Sequence, residues 1–437
     1  MPPETLAFIM LVCIVVSIVI GIPVAFSLAS LPLIFGYFVL GHRTLPLFAL
    51  QSFGMVTSYP FVAAPLFILM GSLMERSGIA DKLFESFYHL LGSLKGGLAI
   101  ATVAMATIFG ACTGIVGAGV ITIGLLALPA MLSRGYGKGL ATGSIMVGGG
   151  LGVTIPPSIM LILYGCAAGV SIAQLFIAAI IPGILMGITY MVYIYIRARI
   201  NPEIGPPVAD EERIRGAKLA RMVLVSLVPP LFLIFAVLGT IFFGVVSPSE
   251  AGAMGVLGSL ILVAISGNLN KKVLIESATA TLRITSAILL ICLAGQLFTG
   301  IFIGMGGDTG MRAMIRGLHL GPTGMVIVLL MIIFFMGMIM DWIALIFILT
   351  PIFAPILKTI GIDPLYFGIL FCLTLQISNI TPPFAYSVFY LKTITPDEVT
   401  IGDMYKGCIP FALVSTLTPI FVLIFPALAL FLPGIMK

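Results

Sequence analysis

Two long apolar segments of this chain are interrupted in the same way. The first interruption reads Gly150-Leu151-Gly152-Val153-Thr154-Ile155-Pro156-Pro157, and the second reads Ser378-Asn379-Ile380-Thr381-Pro382-Pro383. Each proline removes a backbone N–H and disrupts the preceding turn, so nearby carbonyls lose their helical partners. In a membrane, such carbonyls are tolerated only where they line a cavity or bind a ligand.

The two interruptions belong to a longer internal repeat. The Pro-Pro pairs stand 226 residues apart, as do Pro129 and Pro355, and Gly135 and Gly361. Gly71 and Gly295 are separated by nearly the same interval. Broken hydrophobic segments at corresponding places in two halves are the best sequence indication of a binding site in a secondary transporter.

The composition places the chain in a membrane. Hydrophobic residues make up 60% of its 437 residues, charged residues only 8%, and the mean hydropathy is +1.24. Soluble domains carry about 25% charged residues. We therefore predict an all-α polytopic membrane protein. The six cysteines and three histidines form no cluster with metal-ligand spacing, so we expect no transition metal.

The predicted organisation is two repeats, 1–196 and 222–437, joined by a polar linker at 197–221. In the first repeat we expect spans near 5–20, 22–40, 60–75 and 173–196, an amphipathic arm at 78–95, a re-entrant helical hairpin at 98–133 and a broken helix at 139–165. In the second we expect spans near 222–243, 250–266, 283–303 and 408–432, an arm at 308–320, a hairpin at 322–357 and a broken helix at 364–391.

The basic residues predict the orientation. Six of them lie in the linker: Arg197, Arg199, Arg213, Arg215, Lys218 and Arg221. If the linker is cytoplasmic, most other lysines and arginines are cytoplasmic too, and only Arg43, Arg312, Arg316, Lys358 and Lys437 fall outside. The positive-inside rule favours this choice. Each half then crosses the membrane an odd number of times, so we expect inverted repeats and periplasmic termini.

The hairpin tips and the breaks are the candidate site. Unwound carbonyls and helix C-termini suit a cation such as Na⁺, whereas helix N-termini suit a carboxylate. Thr113, Thr154, Ser378 and Thr381 add hydroxyl oxygens, and the Asn379 carboxamide can contact an anion. Close packing of helices could by itself account for any single glycine in these segments. It accounts poorly for two matching breaks in the two halves.

Two carboxylates need separate interpretations. Asp341 lies deep in an apolar run, where a carboxylate is costly, so it faces a cavity or an ion, or else caps a helix at the hairpin tip. Glu250 follows Ser247 and Pro248 before an apolar run, which predicts a capping box and a structural role.

Other function classes have less support. The sequence has no G-x-x-x-x-G-K-[ST] motif, so ATP does not drive this chain directly. An intramembrane aspartyl protease would need a second aspartate in a partner apolar run. A channel, or a scaffold subunit without a transport site of its own, remains the alternative to a transporter.

Several motifs together resemble one known family. They are Phe109-Gly110-Ala111-Cys112-Thr113-Gly114, Leu151-Gly152-Val153-Thr154-Ile155-Pro156-Pro157-Ser158, Gly169-Val170-Ser171 followed by Ile181-Pro182-Gly183, Leu349-Thr350-Pro351-Ile352-Phe353-Ala354-Pro355, and Thr381-Pro382-Pro383. In this order they resemble the large membrane subunit, DctM type, of TRAP transporters.

The resemblance implies a Na⁺-driven importer of small organic acids in the bacterial inner membrane. It further implies an elevator mechanism, a small four-helix DctQ-type membrane subunit and a periplasmic binding protein, and no enzymatic activity, nucleic acid or further cofactor. Many members have a serine-rich first hairpin tip. Here that run is Thr113-Gly114-Ile115-Val116, a variant similar to the branch associated with 2-oxo or aromatic acids. Sulfonates are a further substrate class that the resemblance leaves open.

The residues and the resemblance together give two candidate sets. The family's sodium positions correspond to Thr113 with the Gly149–Pro157 backbone, and to Gly337 with Ser378 and Thr381. The predicted sodium-binding residues are Thr113, Gly114, Gly149, Gly152, Thr154, Pro157, Gly337, Asp341, Ser378 and Thr381. The predicted substrate-binding residues are Gly110, Cys112, Gly150, Pro156, Asn379 and Pro383.

Overall fold

A computed structural model describes residues 2–209, 212, 214–317 and 320–436. Arg213 of the predicted linker, the end of the predicted second arm at 318–319, and Lys437 lie outside the described residues, as do the side chains of 314–317.

The first half of the chain forms ten helices. They are α1 (Pro3–Val19), α2 (Val24–Leu40), α3 (Thr44–Val56), α4 (Ala63–Glu75), α5 (Ile79–Leu91), α6 (Gly97–Thr113), α7 (Val116–Leu132), α8 (Lys138–Leu151), α9 (Ile159–Ala168) and α10 (Ile172–Ile200). Helices α6 and α7 form a hairpin, and α8 and α9 are the two parts of a broken helix. Gly114 has φ = 64°, the left-handed conformation with which glycine commonly ends a helix.

The second half also contains a helical hairpin followed by a broken helix. Its helices are α11 (Ala217–Phe242), α12 (Pro248–Ile265), α13 (Lys271–Gly304), α14 (Gly307–Gly317), α15 (Pro322–Gly337), α16 (Trp342–Ile360), α17 (Pro364–Ser378), α18 (Tyr386–Lys392), α19 (Ile401–Ser415), α20 (Leu417–Ile424) and α21 (Ala427–Ile435). Helices α15 and α16 form the second hairpin, and α17 and α18 the second broken helix.

The all-helical membrane fold class is confirmed. Among the described residues, seven helical stretches are long and apolar enough to cross a membrane, or eight if the bent pair Tyr59–Glu75 and Ile79–Leu91 counts as one span. The boundaries of the repeats and of the linker stay predictions.

The helices differ from the expected spans in three places. Residues 44–56, for which no helix was predicted, form α3, and α13 begins at Lys271 rather than near 283. The last segment is divided at Thr416 and Phe425 into α19, α20 and α21. Pro426 follows the second division; because proline lacks an N–H, it starts a new helix there more readily than it continues the old one.

The capping box at α12 is confirmed. The Ser247 side chain accepts a hydrogen bond from the backbone N–H of Glu250, and the Glu250 carboxylate accepts one from the N–H of Ser247 at 2.7 Å. This reciprocal pair satisfies two N–H groups that have no partner within the helix.

Helices α6, α8 and α17, one from the first hairpin and two from the broken helices, are the most buried elements of the described chain. Helix α8 packs against α6, α7 and α19, while α17 packs against α10 and α15. Every residue from Leu140 to Tyr164 is buried, as are nearly all residues of α17. By contrast, α1, α2, α11 and α12 expose much of their apolar surface, as expected for helices facing lipid or a partner subunit.

Candidate ion and substrate site

The first hairpin tip lies directly on the first break, with backbone against backbone. A Cβ placed on Gly110 would lie 2.9 Å from the Cα of Gly152, and one on Gly114 would lie 3.2 Å from the carbonyl oxygen of Pro157. Contacts this close leave no room for a side chain. The structure therefore brings together four residues predicted for this site.

Gly119 makes a similar contact that the sequence reasoning did not assign to the site. A Cβ placed on Gly119 would lie 3.0 Å from the carbonyl oxygen of Gly149. The glycine-rich run at the hairpin tip was the available signal, but spacing alone does not tell which of its glycines faces the break.

The polar atoms at the first site are buried and locally bonded. Thr154 is 3% exposed, and its hydroxyl donates to the carbonyl of Leu151 at 3.0 Å. Thr113 is 1% exposed, and its hydroxyl donates weakly to the carbonyl of Gly110 at 3.4 Å. Since each hydroxyl donates its proton, its oxygen lone pairs remain available to a cation. Cys112 is buried beside Thr113.

The second hairpin meets the second break at Gly337 and Ser378. A Cβ on Gly337 would lie 2.7 Å from the Cβ of Ser378 and closer still to its hydroxyl. The Ser378 hydroxyl donates to the carbonyl of Leu375 at 2.8 Å, and the Thr381 hydroxyl donates to that of Ile377 at 2.7 Å. Both oxygens thus keep lone pairs at the end of α17.

Asp341 caps α16 at the second hairpin tip. Its carboxylate accepts a hydrogen bond from the N–H of Ile343 at 2.9 Å, and the residue is half-buried. Capping was one of the two interpretations open for this residue. A capping carboxylate keeps further lone pairs, so its participation in ion binding stays a prediction.

Pro156 and Pro383 occupy different surroundings. Pro156 is buried, whereas Pro383 is exposed and its carbonyl accepts a hydrogen bond from the Tyr405 hydroxyl at 2.9 Å. Pro383 therefore lies at the edge of the site, away from the buried cluster. Both Pro-Pro pairs have a cis peptide bond.

The two breaks touch each other through Gln376, the first residue of the second break, which was not among the predicted binding residues. Gln376 is fully buried, and a Cβ on Gly150 would lie 2.7 Å from its Cδ and 2.9 Å from its Oε1. Gly150 and Gln376 are also equivalent residues, 226 positions apart. The signal was present, because Gln376 carries the only carboxamide in the apolar run 365–377.

Several buried polar atoms around the second break have no hydrogen-bond partner among the described residues. They are Nε2 and Oε1 of Gln376, Nδ2 of Asn379 and the hydroxyl of Ser387. Buried polar groups are ordinarily paired. A cluster of unpaired ones is therefore a place where a ligand or water completes the structure.

Two glycines at corresponding places in the two halves, one on α4 and one on α13, lie directly against the hairpins. A Cβ on Gly71 of α4 would lie 2.5 Å from the carbonyl oxygen of Thr113, and one on Gly295 of α13 would lie 2.8 Å from the Phe347 ring. The first hairpin thus contacts α4, and the second contacts α13, at a position where that helix has no side chain.

Residues 11–428 match the family described as "Tripartite ATP-independent periplasmic transporter, DctM component". The chain belongs to this family. It is 31% identical to the ectoine TRAP transporter large permease protein TeaC of Halomonas elongata, over 95% of this chain and 96% of TeaC. It is 30% identical to the C4-dicarboxylate TRAP transporter large permease protein DctM of Pseudomonas aeruginosa, over 88% and 89% of the two chains.

A solved structure shares the fold. The crystal structure of the Alcanivorax borkumensis YdaH transporter superposes with a TM-score of 0.66 over 90% of each chain, at 17% sequence identity. This likeness concerns the fold alone. The family match and the similarity to the two permease proteins identify this chain as a large membrane subunit of a TRAP transporter.

Proposed function

We propose that this DctM-family chain is the transport subunit of a Na⁺-coupled importer of small organic acids. The observation that carries the proposal is the pair of close contacts between hairpin tip and break, Gly110 with the backbone of Gly152 and Gly337 with the side chain of Ser378. At each contact the C-terminal end of a helix brings partial negative charge, and threonine or serine oxygens lie beside it. Such oxygen sets suit Na⁺.

An organic acid is the substrate class that best fits the chain and its relatives. The two permease proteins compared above are named for ectoine and for C4-dicarboxylates, which are small molecules with carboxylates. The chain offers an acid the N-terminus of α9, where the Ser158 side chain caps the helix after the first break. Helix N-termini directed at a site stabilise a carboxylate.

The proposed mechanism is an elevator. The hairpins and broken helices pack against one another around a buried centre in α6, α8 and α17, whereas α1, α2, α11 and α12 present apolar surface outward. The hairpins and broken helices would slide together past α4 and α13, where Gly71 and Gly295 permit close approach. Inverted repeats, with a cytoplasmic linker and periplasmic termini, would make the inward- and outward-facing arrangements equivalent.

The proposed assembly contains a small four-helix membrane subunit and a periplasmic binding protein, in the bacterial inner membrane. The tripartite architecture in the family description supports these partners. The long exposed apolar faces of α2 and α11, with Phe38, Phe232 and Phe235 among their residues, suit lipid and a membrane partner.

The test is uptake by proteoliposomes that contain this chain and its membrane partner, with the binding protein outside. Radiolabelled acids are offered under an inward Na⁺ gradient and, for comparison, an inward K⁺ gradient. Saturable accumulation that requires Na⁺ supports the proposal. Uptake that follows only the substrate gradient would instead indicate a channel, and no uptake with any acid would indicate a scaffold subunit.

A further inference from the structure

The contact between Gly150 and Gln376 joins the two repeats at equivalent positions. Residues related by an internal two-fold repeat can touch only near its axis, so this contact marks the axis. In transporters built from inverted repeats, substrate binds at the interface of the repeats. The Gln376 carboxamide thus occupies the place where a substrate is expected.

We infer that Gln376, together with Asn379, donates hydrogen bonds to the carboxylate of a small monocarboxylate substrate. This inference rests on the proposed function and assigns a specificity-determining residue to it. Residues 376 and 379 are three positions apart at the end of α17, so their side chains share one face of the helix. Both carboxamide nitrogens are buried, and both lack an acceptor.

Unpaired nitrogen donors select the chemistry of the ligand. A sodium ion cannot satisfy an N–H group, whereas a carboxylate accepts up to about four hydrogen bonds. Gln376 and Asn379 each have a free –NH₂, and Gln376 also has a free carbonyl oxygen that can accept from a donor on the ligand. A molecule that carries a carboxylate beside a polar group satisfies all three.

The charge of the site limits the number of carboxylates. Among the side chains that the structure describes, the fully buried polar ones are serine, threonine, glutamine and asparagine, none of them charged, and the half-buried Asp341 at the second hairpin tip is an acid rather than a base. Lys392, at the end of the second broken helix, directs its amino group to the carbonyl of Val399 at 3.3 Å. Neutral donors compensate one buried negative charge far better than two. The site therefore favours monocarboxylates over C4-dicarboxylates.

Gly150 makes room for this arrangement. Any side chain at position 150 would occupy the space of the Gln376 carboxamide. The first break thus leaves space because Gly150 has no side chain, while the second break supplies the hydrogen-bond donors. This asymmetry lets a single acid bind in one orientation at a site that the repeats otherwise make symmetric.

The experiment uses thermal unfolding of the full chain purified with its membrane partner. Sodium pyruvate, ectoine and sodium succinate are the probes, each compared with NaCl at equal Na⁺. We expect pyruvate or ectoine to raise the unfolding midpoint more than succinate does. Gln376→Met, which has similar length but no donor, should lose that shift. Gln174→Met should keep it, because Gln174 is exposed on α10.

Uptake kinetics provide a second readout. Gln376→Met should raise KM at least tenfold, equivalent to about 1.4 kcal/mol, and Gln376→Glu should raise it further because like charges repel. Gln376→Asn, which retains the amide, should be milder and guards against misfolding of the methionine variant. A purely structural role would lower the amount of folded protein and leave KM unchanged.

Three results would overturn the inference: a carboxylate shift retained by Gln376→Met, a larger shift with succinate than with either monocarboxylate, or no shift with any of the three in the unaltered protein. Comparing NaCl with KCl in the same samples tests the proposed Na⁺ coupling separately. A Na⁺-specific shift without a carboxylate shift would sink the inference and leave the proposed function standing.

Discussion

Gly71 faces the backbone of Thr113 so closely that a Cβ on the glycine would lie 2.5 Å from the threonine carbonyl oxygen and 2.9 Å from its Cα. The contact joins α4 to the tip of the first hairpin. Because backbone atoms cannot move aside as a flexible side chain can, this position does not accept even a methyl group without a shift of one helix.

Gly71→Ala should therefore impair transport. Overpacking of this kind costs about 1–3 kcal/mol, and a barrier raised by about 1.4 kcal/mol slows a step tenfold. We expect at least a tenfold loss of initial uptake rate in proteoliposomes. Gly54→Ala on α3 is the matched control, since a Cβ there meets nothing within 4 Å. Equal initial uptake rates in the two variants would mean that the first hairpin and α4 do not slide past each other at this contact.

The hydroxyls at the second break should set the dependence on Na⁺. Ser378→Ala and Thr381→Ala each remove an oxygen that keeps lone pairs free for a cation, so the Na⁺ concentration for half-maximal uptake should rise severalfold. Thr374→Ala is the control, because Thr374 is also buried and donates to the carbonyl of Leu370 at 2.8 Å but lies a turn away from the break. Unchanged Na⁺ dependence in both test variants would remove these residues from the ion site.

Asp341 and Glu250 should respond differently to substitution, although both cap helices. Asp341→Asn retains a good N-cap and removes only the charge, so folding should be nearly unaffected while uptake falls. Glu250→Ala breaks the capping box and should lower the thermal unfolding midpoint, with activity per folded molecule retained. Thermal unfolding and uptake are measured on both. A folded but inactive Glu250→Ala protein would show that the two roles are reversed.

Gly150→Ala should disturb substrate binding more than folding. The added methyl group meets the end of the Gln376 side chain, which is flexible and can move away at small cost in stability. The carboxamide then leaves its position between the breaks. We expect a raised KM for the transported acid with a nearly normal unfolding midpoint. A large loss of folded protein with unchanged KM in the remainder would instead indicate that the contact only holds the breaks together.

The sequence could predict the features that depend on local chemistry. Apolar length indicates membrane helices, paired prolines indicate the breaks, and the order Ser247, Pro248, Glu250 indicates a capping box, which the structure contains. These features arise from residues within a few positions of one another. Helix α3, which is richer in polar residues, and the division of the last segment into three helices were missed because apolar runs alone do not mark where a helix starts or stops.

The tertiary structure alone decided which residues meet. The sequence contains many glycines, yet only packing determines that Gly110 meets Gly152, that Gly71 meets Thr113, and that Gly150 meets Gln376. These pairs are separated by tens to hundreds of residues, so their contacts depend on how whole helices cross. The Gln376 carboxamide is unpaired because of that crossing. Whether a buried amide finds a hydrogen-bond partner depends on the groups that the fold places around it.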